Sequence, residues 1–188
     1  LFIKGKSYKE LDIFSLSKIT GTVLQDSDNQ FIGLTVGEDI AFAMENENTP
    51  LKTMKERVME AAKKVGIDAF LSHAPHELSG GQKQRVSLAG VMVDDVEIFL
   101  FDEPLANLDP ASGKKTIELI DQIHKDTGAT IVIVEHRIED VLYRSVDRVI
   151  LMGEGTVISD TTPDDLLSSD ALIKNGIREP LYVTALKY

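Results

Sequence analysis

The chain has no cysteine among its 188 residues. Disulfides therefore play no part in its stability, which fits a reducing cytosol without requiring one. No apolar run approaches the ~18 residues of a membrane-spanning helix. Leu1-Phe2-Ile3 is too short for the apolar region of a secretion signal, and no small-residue cleavage site follows. Positive charge is scarce: 20 Lys and Arg stand against 31 Asp and Glu, a net charge of -11. A general nucleic-acid surface needs clustered Lys and Arg, so the charge argues against one, local basic spots aside, and nucleic acid is not expected as a partner. Internal repeats and low-complexity linkers are missing too. The chain begins with Leu1 rather than Met, which points to a piece of something longer. Hydrophobic residues make up 43% and mean hydropathy is -0.05, as expected of a soluble globular protein. The length suffices for one domain with a real core.

The residues that are present arrange themselves clearly. Phe2-Ile3 and Ile19 to Leu24 read as strands. Thr35-Val36-Gly37-Glu38 has capping-box spacing and predicts a helix to about Met44. Leu51, Met54, Val58, Ala61, Ala62 and Val65 recur at helical spacing, and Gly66 suits the position just past the helix end. A third helix is predicted from about Gln82, with Val86, Ala89, Gly90 and Val93 on one face. From Ile98 the pattern alternates between strand and helix. Ile98 to Phe101 and Thr130 to Val134 read as buried strands, separated by a helix opened by Asp109-Pro110 and ending near Gly128. A short helix follows at Ile138, Val141 and Leu142. Arg148 to Met152 and Thr156 to Ile158 flank Gly153-Glu154-Gly155 as a hairpin, and Thr162-Pro163-Asp164-Asp165 caps a last helix. Such alternation predicts an α/β fold whose parallel sheet is covered on both faces.

Two short strings carry chemistry. Ser79-Gly80-Gly81-Gln82 precedes a helix; its glycines admit close backbone approach and free N–H groups at a helix start attract anions, so a phosphate site follows. A glycine loop that only caps a helix is the simpler reading. Asp102 and Glu103 end an apolar strand, where open α/β sheets place ligands. Adjacent strand residues point to opposite sides, so the two carboxylates are expected to do different jobs. A solvated acidic strand end is the alternative there.

The ordered set Leu78-Ser79-Gly80-Gly81-Gln82, Asp102-Glu103, Leu105-Ala106-Asn107-Leu108-Asp109 and Glu135-His136 resembles the ATP-binding-cassette (ABC) ATPases: signature motif, Walker B, D-loop and switch histidine. The resemblance covers nearly the whole chain. It implies a P-loop NTPase-like core of parallel sheet with a helical subdomain, its N-terminal part missing. Residues 26–95 would hold the Q-loop and helical subdomain, 96–160 the Walker B, D-loop and histidine core, and 161–188 a C-terminal helix and tail. Residue roles follow from the same resemblance. Asp102 would hold magnesium through water and Glu103 would act as general base. His136 would contact the γ-phosphate and position water, and Gln25, after the strand at 20–24, would contact magnesium and water. Ser79, Gly80, Gly81, Gln82, Asn107 and Asp109 would bind nucleotide, the signature residues acting on ATP held by a second ABC domain in a head-to-tail dimer. His73, His76 and His124 have no comparable placement and are read as structural.

The phosphate-loop pattern GxxxxGK[ST], whose N–H groups cradle phosphates, does not occur in the sequence. Gly5-Lys6-Ser7 is the nearest string, but it stands only 20 residues before Gln25 and feeds no apolar helix. It reads as a turn between edge strands. The real phosphate loop and adenine-stacking aromatic are expected upstream, leaving doubtful any binding of MgATP by the 188 residues alone. Glu135-His136-Arg137-Ile138-Glu139-Asp140-Val141 and Arg178-Glu179-Pro180-Leu181-Tyr182 further resemble the energy-coupling-factor transporter ATPases of vitamin or cobalt and nickel uptake, some of which carry two ATPase halves in one polypeptide. The expected function is the ATP-hydrolysing subunit of a membrane importer, peripheral at the cytoplasmic face. A transmembrane subunit would be contacted near residues 26–70. One rival is a non-transport cassette protein of DNA repair or chromosome maintenance; these insert long coiled coils, for which the 53 positions between Gln25 and Leu78 leave no room. Another is a non-catalytic half that presents its signature motif in trans, against which intact Glu103 and His136 argue.

Overall fold

The structure is a computed structural model that describes residues 2–3, 5–25, 30–94, 96–106 and 108–187. A small antiparallel hairpin opens it: β1 (Phe2–Ile3) pairs with β2 (Lys6–Ser7), and Gly5 between them sits at φ 77°, a conformation that glycine adopts freely. Gly5-Lys6-Ser7 is thus a hairpin corner, as expected, and not a phosphate loop. Helix α1 (Ile13–Ser17) leads into β3 (Thr20–Val23), the first strand of a parallel sheet ordered β3-β4-β5. β4 spans Ile98–Asp102 and β5 spans Thr130–Val134, with Val23 opposite Phe101 and Asp102 opposite Val134.

Between β3 and β4 come three helices: α2 (Val36–Asn46), α3 (Leu51–Val65) and α4 (Gly80–Met92). The Thr35–Glu38 capping box is formed in both directions, Glu38 N–H donating to Thr35 Oγ1 and Thr35 N–H to Glu38 Oε2. Gly66 closes α3 at φ 70°. Val36, Ile40, Met44, Val58, Ala62, Val86 and Leu88 join Val23, Phe99 and Phe101 in one core. At Gly21 a Cβ would lie 3.2 Å from that of Val91, so the missing side chain lets α4 approach β3. α4 starts two residues earlier than the pattern suggested, which makes Gly80 and Gly81 first-turn helical residues rather than a loop before the helix.

Helix α5 (Pro110–Thr127) connects β4 to β5 and adds Ile117, Ile120 and Ile123 to the same core. The expectation of a sheet covered on both faces is not met among the described residues. One face, with Val23, Phe99 and Phe101, packs on α4 and α5. The other leaves Leu24 47%, Val132 45% and Val134 59% exposed. β5 is consequently an edge strand open on one side, not a buried one: both intervening helices lie with the same core cluster, and nothing described covers the opposite face.

After β5, α6 (Ile138–Val141) leads to the hairpin of β6 (Val149–Gly153) and β7 (Thr156–Thr161), turned through Glu154 at φ 49° and Gly155 at φ 74°. α7 (Pro163–Ser168) is not the last helix. α8 (Ala171–Lys174) and α9 (Leu181–Lys187) follow. Leu151, Leu166 and Leu172 form a second small core beneath them. Lys187 Nζ lies 2.7 Å from the buried Glu179 carboxylate, an ion pair that ties down α9. Among the described residues, no helix is long and apolar enough to cross a membrane.

Candidate functional site

Parallel strands deliver their C-terminal ends to one edge, and the residues just past those ends meet there. Gln25 lies two residues after β3, Glu103 one after β4 and His136 two after β5. Gln25 Nε2 donates to Glu103 Oε2 at 2.8 Å. His136 Nδ1 stands 3.9 Å from the same oxygen. One carboxylate oxygen thus gathers three of the sequence-predicted residues. Since Gln25 donates through nitrogen, its carbonyl oxygen, the end a hard cation would take, is not spent in that bond.

Asp102 closes β4 and is exposed. Glu103 is not aimed by the pleat, as alternation had suggested. Its backbone is left-handed, φ 46°, which is uncommon for a residue with a Cβ. Two hydrogen bonds hold it there: Glu103 N–H donates to Val134 O at 2.9 Å, and Ala106 N–H donates to Glu103 O at 2.9 Å. Among the described residues no group of three or more His, Cys, Asp or Glu is placed to hold a metal ion. Asp102 and the Gln25 carbonyl are oxygen donors, the ligand type magnesium takes, and that ion keeps water and phosphate oxygens for most of its shell.

Sequence reasoning assigned no role to Glu135 and Arg137 beyond their part in a resemblance. Glu135 has only 2% of its side chain exposed. Its Oε1 accepts from the N–H groups of His136 (2.9 Å) and Arg137 (3.1 Å), and Oε2 accepts from Leu105 N–H (3.2 Å). Those N–H donors offset the cost of burying a carboxylate. Oε1 also lies 3.3 Å from His136 Nδ1, so the Glu135 carboxylate faces the His136 ring. A glutamate directly after an apolar strand was the available signal, but sequence does not show that the side chain folds back inward.

The signature residues form a separate group. Ser79 is the N-cap of α4, and both its N–H and its hydroxyl donate to Gln82 Oε1, at 2.8 and 2.9 Å. Gln82 and Lys83 N–H bond back to Ser79 O, so the helical ladder begins after Gly80 and Gly81. A Cβ on Gly80 would meet nothing within 4 Å, and one on Gly81 would find only Leu108 Cδ2, at 3.8 Å. The helix start is therefore open to an anion. Asp109 caps α5: Ala111 and Ser112 N–H donate to its Oδ1, and the Ser112 hydroxyl to Oδ2. The Ser112 hydroxyl, then its N–H, holds the exposed Asp109 carboxyl below the usual range. Asn107 lies outside the described residues. His124 Nδ1 sits 2.8 Å from Ala129 O, a structural contact as expected.

The ABC transporter family pattern matches residues 1–106, more than half of the chain, and a pattern described as ATP-binding cassette cobalt transporter matches residues 169–188. Proteins with the provisional name ABC transporter ATP-binding protein are similar throughout: 58% identical over 187 residues in Photobacterium profundum, and 60% over 188 residues in Clostridium perfringens. Each match covers 100% of this chain but 33% of the relative, so the chain spans about a third of their length. Among solved structures, CbiO1 from Clostridium perfringens, described as part of the ABC transporter complex CbiONQ, matches with a TM-score of 0.80 and 33% identity, over 100% of this chain and 75% of that one. The chain belongs to the ATP-binding-cassette transporter family.

Proposed function

We propose that the intact polypeptide carrying this sequence is the ATP-hydrolysing subunit of a membrane importer of the energy-coupling-factor type, with cobalt as the cargo favoured by the family description of residues 169–188. The observation that carries the reading is the meeting of Gln25, Glu103 and His136 at one oxygen. Glu103 is the general base: it takes a proton from the attacking water as that water bonds to the terminal phosphorus of ATP and the bond to the leaving phosphate oxygen breaks. Gln25 orients Glu103 and offers its carbonyl to the cation, and Asp102 holds the cation through water. When bound, magnesium neutralises charge on the phosphate oxygens. His136, its Nδ1 turned to Glu135, presents the other ring nitrogen to the terminal phosphate. Ser79, Gly80, Gly81 and Gln82 bind the nucleotide of a second ABC domain, and Asn107 and Asp109 belong to the segment that faces it. Relatives about three times as long as this chain leave room for two ATPase halves in one polypeptide. The protein sits peripherally at the cytoplasmic membrane face, with residues 26–70 against the transmembrane subunit.

The test is the intact polypeptide expressed with its membrane subunits, with Glu103→Gln as the variant. Binding of MgATP stays within about twofold, while turnover at this half's site falls about 10²–10⁴-fold, the range for loss of a general base. Cobalt uptake by the cells falls with it. Unchanged turnover rules out Glu103 as the base; turnover that falls with no cobalt uptake in the parent rules out the cargo alone.

A further inference from the structure

We infer that Arg137 is a positioning residue for hydrolysis: with Glu135 it clamps the turn that follows Glu103 to the segment that carries His136. The inference rests on the catalytic reading above. The residues on either side of His136 grip the same buried residue, Leu105, from opposite ends of its peptide. Glu135 Oε2 accepts Leu105 N–H, and Arg137 Nη1 donates to Leu105 O at 2.9 Å and to Leu108 O at 3.3 Å. Asp140 aims the guanidinium by accepting from Nε at 2.8 Å and standing 2.7 Å from Nη2. The guanidinium lies over α5 where Gly113 has no side chain; a Cβ there would be 3.4 Å from Nη2.

The arrangement has a consequence for the chemistry. Glu103 and His136 come from different strands, and the only direct link between their side chains is the 3.9 Å approach. Their spacing therefore depends on whatever joins the two backbones beyond the strand ends. Glu103 N–H to Val134 O is one such link. The Glu135–Leu105–Arg137 clamp supplies three more, two of them from a guanidinium that is always charged and geometrically fixed. The clamped turn ends at Leu108, which lies beside signature Gly81. Movement of that turn, without the clamp, would carry the base away from the histidine.

The experiment uses the intact polypeptide with Arg137→Met, which keeps the aliphatic stem and removes the donors, and Arg137→Lys, which keeps a charge but not the fork. Each is read by kcat and KM for ATP and by amide hydrogen exchange at Leu105, Leu108, His136 and Arg137. For Arg137→Met we expect kcat down about tenfold or more, as for loss of hydrogen bonds to a charged group, KM within about twofold, and faster exchange at all four amides. Arg137→Lys falls between. Wild-type kcat with unchanged exchange in a folded Arg137→Met overturns the clamp; if that variant does not fold, the same result in Arg137→Lys does so. An increase in KM equal to the loss in kcat also overturns it, since positioning does not act on binding. If the parent shows no turnover, or Glu103→Gln keeps it, the catalytic reading fails instead. In that case unchanged exchange still sinks the clamp, and faster exchange at Leu105 and His136 together sustains it.

Discussion

At Glu103 the backbone adopts a φ of 46° in a residue that has a Cβ, a conformation that costs about 1–2 kcal/mol. The surroundings determine it: Val134 O takes its N–H and Ala106 N–H takes its carbonyl. This is strain located at the proposed base, where it turns the carboxylate toward Gln25 and His136. Asp109 is one of the residues whose acidity its neighbours tune. Its carboxyl is held below its ordinary value of 3.8 chiefly by the Ser112 hydroxyl, then by the Ser112 N–H. A carboxyl lowered on folding contributes stability above its unfolded pKa and loses it as pH falls through the folded one. Ser112→Ala removes the hydroxyl and leaves the N–H, so the Asp109 pKa should rise partway toward 3.8. NMR titration of its carboxyl carbon in the 188-residue chain checks this, and an unmoved titration would refute it. The loss of stability with falling pH should then be smaller, and complete at a higher pH, than in the parent. Gln25, Glu103 and His136 were picked out by the family resemblance, each just after a strand. That they share one oxygen was not legible, since strand order is a property of the folded chain. Glu135 was illegible for a related reason: a charged residue reads as solvated until the three N–H groups that receive it are in place.

Helix boundaries were the most legible elements, because caps act locally. Thr35 with Glu38, Asp109 with Pro110, and Gly66 each stand within a few residues of the bonds they make. The sheet was half legible. A run such as Thr130 to Val134 is apolar whether one face or both are buried, and periodicity does not separate the cases. In the fold its two kinds of position differ sharply: Phe99 on the covered face of the neighbouring strand is 1% exposed, whereas Val132 on the open face is 45% exposed. Two substitutions should therefore behave very differently in the 188-residue chain. Phe99→Ala should cost about 3–5 kcal/mol, the range for emptying a large core site. Val132→Thr should stay within about 0.5 kcal/mol, as at a surface position. Urea titration of the two variants measures both. A Val132→Thr cost equal to that of Phe99→Ala would mean that the open face is covered in solution.

The whole molecule carries the proposed signature motif, base and histidine, but its 188 residues contain no phosphate-loop string. Positioning and charge neutralisation account for most of phosphoryl-transfer catalysis. By itself the 188-residue chain should therefore hydrolyse ATP no faster than its own Glu103→Gln variant, measured by phosphate release; turnover that the substitution abolishes would show a complete site. In the intact polypeptide the two groups of residues described here should serve different nucleotides. Gln25, Glu103 and His136 meet at one strand edge, while Ser79 to Gln82 form an open helix start whose hydrogen bonds turn inward on themselves. Gly81→Asp adds a carboxylate at that helix start, where it repels phosphates and fills the space that close approach requires. It should therefore reduce hydrolysis more than the binding of ATP by this half. Pairing it with a second lesion separates the alternatives. A phosphate-loop lysine substitution in the partner half should damage the same composite site as Gly81→Asp, leaving the other site intact and part of the activity in place. The same lysine substitution in this half should damage both sites and abolish activity. If the signature instead served its own half, the two pairings would exchange outcomes, and steady-state ATP hydrolysis by the two double variants decides between them.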